Sequence, residues 1–271
     1  MLSFPNAKIN LGLNIIAKRP DGYHNIESIF YPVGLKDGLE FVESTTSETT
    51  MQLSNIQVDG DISNNLVIKA YRLLATDFKL PPLQIYLQKN IPFGAGLGGG
   101  SADAAFMLRM LNEYFKSDLS TGQLENYAAQ LGADCPFFIR NKPAFVQGTG
   151  TIFEDINISL KGFYIIIIKP NIYIPTPEAY AGCLPQKPQR NLREIATLPI
   201  EQWRETMHND FEKTVFTKYP QIAEIKQKLY DTGAVYASMS GSGSAVFGIF
   251  REKTDLKAVF AGRFVWSGEL E

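Results

Sequence analysis

The chain contains 271 residues, of which 45% are hydrophobic and 20% are charged. This is the composition of a globular protein, and its many aromatic and aliphatic residues exclude a chain that is mainly disordered. The formal net charge of −2 at pH 7 lacks the basic excess of a general nucleic-acid binder, so no nucleic-acid partner is expected. No apolar run approaches the roughly 18 residues of a transmembrane helix, and no membrane partner is expected.

The N-terminal segment does not resemble a signal peptide, because Lys8, Asn10 and Asn14 interrupt its apolar residues. The cysteines, Cys135 and Cys183, are far apart in the sequence and indicate free thiols in a reducing compartment. With two histidines and no Cys/His cluster, a structural zinc site is not expected. We therefore expect a soluble, cytoplasmic protein.

The first half of the chain mixes alternating apolar patterns, typical of strands, with patterns of helical period. In chain order these patterns predict a strand at residues 7–16, a strand at 38–43, a helix at 65–77, a strand at 83–89, a helix from 101 to 115 and a helix at 123–131. The polar stretch at residues 44–50 predicts a hairpin loop or a mobile connection.

The second half continues the mixture without strict strand–helix–strand alternation. It predicts strands at residues 144–146 and 163–168, a proline-rich connection over 170–189, helices at 201–207 and 221–230, and strands at 235–238 and 245–250 around a glycine-rich turn. This order favours the α+β class, with a domain boundary near residue 155.

The most unusual stretch is residues 92–101, in which five glycines fall between Gly94 and Gly100. Glycines allow backbone N–H groups to converge on an anion, and a helix that starts at Ser101 would add its free N-terminal N–H groups. The stretch therefore predicts a polyphosphate-binding loop. The alternative is a flexible turn, which usually needs only one or two glycines.

Common phosphate-binding motifs do not fit this loop. Its spacing matches the Rossmann pattern, but Glu113, at the distance of the required acid, falls within a predicted helix. No lysine follows the glycines as in a P-loop, and the His-Arg-Asp and Asp-Phe-Gly motifs of protein kinases are absent.

The glycine-rich stretch instead resembles the second motif of the GHMP kinase superfamily, which includes galactokinase, homoserine kinase and mevalonate kinase. Residues 7–13 and 239–248 are similar to its N-terminal and C-terminal motifs. A narrower resemblance, to a member whose acceptor is a cytidine diphosphate sugar alcohol of the non-mevalonate isoprenoid pathway, is carried by residues 7–13, 19–24, 132–138 and 209–212. The resemblance extends over nearly the whole chain, from about residue 5 to residue 250.

The resemblance implies an ATP-dependent small-molecule kinase that phosphorylates the 2-hydroxyl of that sugar alcohol. It implies the two-domain GHMP kinase fold, with an N-terminal domain like ribosomal S5 domain 2 at residues 1–155 and a ferredoxin-like C-terminal domain at 156–271. The residues implied in ATP binding are Pro92, Phe93, Gly94, Ala95, Gly96, Leu97, Gly98, Gly99, Gly100, Ser101, Ala102 and Ser240.

The same resemblance implies that Asp134 is the catalytic base and that Lys8 is its catalytic neighbour. An ammonium beside the carboxylate would keep it ionised and would stabilise charge on the transferring group. Without the resemblance, the two residues would be interpreted as ordinary exposed charges.

For substrate binding, the resemblance implies a stacking pair, Tyr23 and Tyr173, and a hydrogen bond from His24 to the cytosine edge. Asn10 lies on the same strand face as Lys8 and is expected to bind the erythritol hydroxyls. Pro175 is expected to shape the wall near Tyr173. The structural alternatives are a core histidine, an exposed strand asparagine and a proline that ends a loop.

ATP implies Mg²⁺, for which the sequence offers no dedicated acid pair, so water and phosphate are expected to supply most ligands. Adenine contacts are expected from a loop near residues 55–65. Two positions depart from the family pattern, Ala102 where many relatives have serine and Thr151 where relatives often have glutamate. The 209–212 motif receives no catalytic role, and the oligomeric state stays open between monomer and homodimer.

The sequence leaves two other functions open. One is a kinase of the same superfamily that acts on homoserine, mevalonate or a sugar, against which Tyr23, His24 and the Lys8–Asp134 pairing argue. The other is a nucleotide-binding protein without activity, against which Lys8 and Asp134 argue.

Overall fold

The computed structural model describes residues 1–55 and 62–271. The expected adenine loop at residues 55–65 therefore lies in large part outside the described residues. The helices of the described chain fall short of the length and apolar character that a membrane span needs.

The strands of the described residues are mostly short, apart from two of 13 residues. They are β1 (Leu2–Ser3), β2 (Asn6–Lys18), β3 (His24–Lys36), β4 (Gly38–Glu43), β5 (Thr50–Ser54), β6 (Leu83–Gln88), β7 (Ala144–Gln147), β8 (Ile152–Asp155), β9 (Tyr164–Lys169), β10 (Tyr236–Met239), β11 (Val246–Phe250) and β12 (Phe264–Glu269). The helices are α1 (Leu66–Phe78), α2 (Gly99–Phe115), α3 (Thr121–Ala129), α4 (Cys135–Arg140), α5 (Thr176–Ala181), α6 (Leu192–Ala196), α7 (Trp203–Thr206), α8 (Phe211–Lys218) and α9 (Pro220–Asp231).

The first of two compact units consists of residues 1–7, 35–93 and 98–142. Its sheet has the strand order β1-β4-β6-β5, in which β5 is parallel to β6 and the other neighbours are antiparallel. Alternate residues of β4 and β6 are buried, as expected for a sheet that is covered on one face. Helix α2 contributes to that cover, because the ring of Phe115 stacks 6.3 Å from that of Phe41.

The second unit consists of residues 8–34, 94–97 and 143–271. It contains two four-stranded sheets, with the orders β2-β3-β7-β8 and β10-β11-β9-β12. One core cluster joins apolar side chains from the early and the late parts of the chain. These side chains include Leu13 and Ile15 of β2, Ile168 of β9 and Leu229 of α9.

Most predicted elements are confirmed within one or two residues. The helix at 65–77 is α1, and Asn65 caps it by accepting a hydrogen bond from the Val67 N–H at 2.9 Å. The strand at 38–43 is β4. The mixture of helices and mixed sheets confirms the α+β class, whereas the domain boundary near residue 155 stays a prediction.

Of the two alternatives for residues 44–50, the hairpin loop is excluded, because the strands that this stretch joins, β4 and β5, lie on opposite sides of β6. The mobile connection stays a prediction. The helix expected at 201–207 is a 3-10 turn followed by the four-residue α7. The helix expected to start at Ser101 is confirmed as α2, which starts two residues earlier, at Gly99, because Gly98 supplies the left-handed backbone at its N-cap.

Candidate functional site

The glycine-rich stretch forms a loop whose backbone needs glycine at three positions. Gly94, Gly96 and Gly98 have φ of +62°, +74° and +71°, in the left-handed region that side chains disfavour. Helix α2 follows at once, and its first intrahelical bond runs from the Ala102 N–H to the Gly98 carbonyl at 2.9 Å. The N–H groups before Ala102 have no intrahelical acceptor and, with the helix dipole, favour an anion.

The middle of this loop packs against the turn of the C-terminal glycine motif. A Cβ on Gly96 would lie 1.9 Å from the carbonyl oxygen of Ser240, so no side chain fits there. The Ser240 hydroxyl donates to the Gly96 carbonyl at 2.8 Å, and the Ala245 N–H donates to the Ala95 carbonyl at 3.2 Å. The two glycine motifs are therefore held together by direct hydrogen bonds.

Lys8, in β2, is buried with 3% of its surface exposed. Its ammonium donates to Asn10 Oδ1 at 2.7 Å and to the Gly96 carbonyl at 3.3 Å. It also lies 4.3 Å from the centre of the Phe30 ring, within the range of a cation–π contact. A buried cation is thus held against the backbone of the glycine-rich loop.

Asn10 is also buried, and its side chain is engaged within the protein. Its Nδ2 donates to Ser28 Oγ at 2.8 Å, and the Ser28 hydroxyl donates to the Gly12 carbonyl at 2.6 Å. Its backbone N–H donates to Ser240 Oγ at 3.2 Å. In this arrangement Asn10 orients Lys8, and contact with the substrate stays a prediction.

A buried group of three charges joins the two ends of the glycine-rich loop. Lys89, just after β6, donates to Asp103 Oδ2 at 2.7 Å and to Asp37 Oδ2. Asp37 Oδ1 accepts the N–H groups of Asn90 and Ile91 at 2.6 and 2.8 Å. Residues before the loop are thereby connected to Asp103 in the second turn of α2.

Burial and the ion pairs act in opposite directions on the protonation of this buried triad. Burial raises the pKa of Asp103 to about 7, although Lys89 opposes the shift. Burial also opposes the charged form of Lys89, but Asp103 and Asp37 hold the pKa of that ammonium above its ordinary value. Asp103 Oδ1 is buried without a hydrogen-bond partner in the described residues.

Asp134 is the residue that precedes helix α4, after a turn in which the Cys135 N–H donates to the Gly132 carbonyl at 3.1 Å. The neighbouring Cys135 is buried, and burial raises the pKa of its thiol to about 11. The thiol therefore stays protonated near pH 7 and is a poor nucleophile.

The predicted aromatic residues of the cytidine site are exposed, with 67% exposure for Tyr23 and 61% for Tyr173. Tyr173 lies beside the glycine-rich loop, since a Cβ on Gly94 would be 2.7 Å from its ring. Throughout the described chain, neither tyrosine ring contacts another ring. His24 instead stacks on Tyr180, with 4.8 Å between the ring centres. Exposed rings of this kind are available to stack on a base.

The remaining predicted residues have simple surroundings. Pro175 precedes α5 and accepts the Glu178 N–H at 2.9 Å. Phe93 is 65% exposed, and Thr151 is exposed in the turn between β7 and β8. Of the other predicted loop residues, Pro92, Ala95, Leu97 and Ala102 are buried, Gly99 and Ser101 are half-buried, and Gly100 is exposed. Within residues 1–55 and 62–271, no group of three or more His, Cys, Asp or Glu is arranged to hold a metal ion.

Sequence reasoning missed several residues that surround this loop. Ser28 and Phe30, in β3, contact Asn10 and Lys8, and Asp37 and Lys89 belong to the buried triad. A lone serine or phenylalanine in a strand carries no signal that could identify it. Asp37 and Lys89 are 52 positions apart, so only the folded chain brings them together.

Comparison with known proteins extends these observations. Residues 65–142 match the GHMP kinases N terminal domain, and residues 191–262 match the GHMP kinases C terminal family. The 4-diphosphocytidyl-2-C-methyl-D-erythritol kinase of Parabacteroides distasonis is 53% identical over 272 residues, covering 100% of both chains. The protein of that name from Chlorobium limicola is 43% identical over 257 residues, covering 92% of this chain and 88% of the other.

Solved structures of GHMP kinases are also similar to this chain. A crystal structure of 4-(cytidine 5'-diphospho)-2C-methyl-D-erythritol kinase has a TM-score of 0.86 at 29% identity, covering 100% of this chain and 99% of the other. Mevalonate kinase from Methanococcus jannaschii has a TM-score of 0.72 at 12% identity, covering 100% and 98%, and shares the fold.

Proposed function

The chain belongs to the GHMP kinase family, and on this premise we propose that it phosphorylates the 2-hydroxyl of 4-diphosphocytidyl-2-C-methyl-D-erythritol with ATP. This is a step of the non-mevalonate pathway to isoprenoid precursors. The observation that carries the proposal is the buried ammonium of Lys8, which is held against the Gly96 carbonyl of the glycine-rich loop. A fixed cation at a polyphosphate loop is what phosphoryl transfer requires.

The glycine-rich loop and the first turn of α2 bind the triphosphate in this proposal. Positive φ at Gly94, Gly96 and Gly98 and the free N–H groups before Ala102 support the binding of an anion such as ATP. Ser101 and Ser240 are the hydroxyls assigned to phosphate contacts. Bound Mg²⁺ would shield phosphate charge, with phosphate and water as its main ligands.

Asp134 is the proposed general base for the acceptor hydroxyl, and Lys8 stabilises the charge that develops on the oxygen or on the transferring group. If Asp134 is instead an ordinary surface carboxylate, its substitution should have little effect on activity. Asn10 orients Lys8 through the 2.7 Å hydrogen bond to its ammonium.

For the cytidine end, we propose that Tyr23 and Tyr173 stack on the base and that His24 bonds its edge. The exposure of both tyrosine rings supports this assignment. Stacking of a base on an aromatic ring contributes roughly 1–3 kcal/mol in single-strand binders. Pro175, at the start of α5, borders this region.

The test is detection of the monophosphorylated product by mass spectrometry for the wild type, Lys8→Ala and Asp134→Asn. We expect product from the wild type and a loss of roughly 10²–10⁴-fold in each variant, as for removal of a general base or a charge stabiliser. Lys18→Ala, at an exposed position at the end of β2, is the control and should retain full activity.

An acceptor panel separates the alternatives. Turnover of mevalonate or homoserine without turnover of the cytidine compound would contradict the proposed substrate. Binding of ATP without any product, unchanged in Asp134→Asn, would instead indicate a nucleotide-binding protein without activity.

A further inference from the structure

We propose that Asn209 is a positioning residue for phosphoryl transfer, which acts by fixing Ser240 between the glycine-rich loop and the strand that carries Lys8. The proposal rests on the proposed function. It assigns a role to residue 209 of the 209–212 motif, which has no part in the kinase reaction described above.

Asn209 is buried, with 2% of its surface exposed. Its Nδ2 donates to the carbonyls of Met239 and Gly241, both at 2.8 Å. Its Oδ1 accepts the Phe211 N–H at 3.0 Å, which fixes the orientation of the amide. One side chain therefore holds the backbone on both sides of Ser240.

Ser240 transmits this position to the site. Its hydroxyl donates to the Gly96 carbonyl at 2.8 Å and accepts the Asn10 N–H at 3.2 Å. Gly96 and Asn10 also accept hydrogen bonds from the Lys8 ammonium. A displacement of Ser240 therefore moves two groups that hold Lys8, and misplacement by about 1 Å can reduce catalysis by about 100-fold.

The other polar members of the motif make a different kind of contact. Asp210 Oδ2 accepts the Ile15 N–H at 2.8 Å, at the far end of β2 from Lys8. Glu212 accepts the Met239 N–H at 2.8 Å and pairs with Lys226 at 2.6 Å. Neither of these carboxylates bonds a carbonyl on both sides of Ser240, so Asp210 provides a matched control for Asn209.

The experiment compares Asn209→Asp, which keeps the acceptor for Phe211 and removes the donor, with the adjacent Asp210→Asn. For Asn209→Asp we expect kcat to fall by about 100-fold, with the KM of the cytidine substrate changed less than about threefold. For Asp210→Asn we expect kcat to change less than about threefold. The proposal would be overturned if both variants lose thermal stability and have the same kcat as each other.

A double-mutant cycle with Ser240→Ala tests whether Asn209 acts through Ser240. If Asn209 acts through Ser240, the effect of the Asn209 substitution shrinks by at least about fivefold in the Ser240→Ala background, and additive effects overturn the proposal. Asn209→Ser replaces Asn209→Asp in the cycle if the latter does not fold.

The same cycle, measured as the dissociation constant of a non-hydrolysable ATP analogue, needs no acceptor. Coupling in analogue binding with no wild-type product would contradict the proposed substrate and leave the positioning role supported. Product from the wild type with additive effects in both measurements would contradict the positioning role alone.

Discussion

At Gly96, two backbones approach so closely that the identity of the residue is fixed by space and by conformation. The Ser240 carbonyl would lie 1.9 Å from any Cβ, and φ of +74° disfavours every residue with a side chain. Because the neighbouring atom belongs to the backbone, it cannot move aside as the end of a flexible side chain can.

We therefore expect Gly96→Ala to displace the Ser240 turn and to weaken binding of an ATP analogue by at least about tenfold, measured by calorimetry. Gly122→Ala in α3 is the control, since its Cβ position has open space: apart from its chain neighbours and the backbone of its own helix, no described atom lies within 4 Å. That control should bind the analogue normally and gain about 0.5–1 kcal/mol in unfolding free energy, because alanine favours a helix. Equal affinity of both variants would contradict a close approach at Gly96.

At the scale of elements, the buried triad couples the end of β6 to the start of α2. Its charge changes within the physiological range, because burial raises the pKa of Asp103 to about 7 while Asp37 and Lys89 are its charged neighbours. In the unfolded chain the same carboxyl titrates near pH 4.

The folded chain accordingly binds more protons than the unfolded chain between about pH 4 and pH 7, so this group contributes stability that is lost as the pH rises through about 7. Asp103→Asn removes that titration. Urea unfolding at pH 5 and pH 8 should show that the wild type loses of the order of 1–3 kcal/mol relative to the variant as the pH rises. Identical pH dependence of the two proteins would contradict the raised pKa.

Elements with strong local signals were predictable and those defined by distant partners were not. Helix α1 has both a helical pattern and the Asn65 cap, and the glycine stretch identified the loop before α2. Strand β3 escaped prediction, because its buried residues do not alternate regularly with exposed ones. The GHMP kinase fold followed from motif resemblance and is confirmed by the solved structures.

In the candidate site, too, some features could be predicted from the sequence and others could not. Motifs identified Lys8, Asn10 and Ser240, whereas their mutual hydrogen bonds depend on strands from both ends of the chain. Asn209 stood in a recognised motif, but its contact with both carbonyls around Ser240 was visible only in the folded chain.

At the scale of the molecule, the second compact unit is assembled from both ends of the sequence. The Leu13 N–H donates to the His208 carbonyl, and the Asp210 N–H donates to the Leu13 carbonyl, both at 2.9 Å. Leu13, Ile15 and Ile26 also belong to the core that contains α9. The late part of the chain therefore depends on β2 and β3 for its own core.

We expect a fragment of residues 156–271 to lack a cooperative thermal transition, measured by circular dichroism, because its apolar core would stay exposed. The full chain provides the control and should unfold cooperatively. A well-dispersed NMR spectrum of the isolated fragment would contradict this view and would favour independent domains divided near residue 155.

The hydrogen bonds that start at Gly12 have a fixed direction. A carbonyl can only accept, so the Ser28 hydroxyl must donate to Gly12, and the Ser28 oxygen accepts a hydrogen bond from Asn10 Nδ2. The amide oxygen of Asn10 is thereby turned toward Lys8 and cannot exchange places with its nitrogen. A backbone carbonyl three links away thus sets the polarity that Lys8 meets, and no rotation of a single side chain can reverse it.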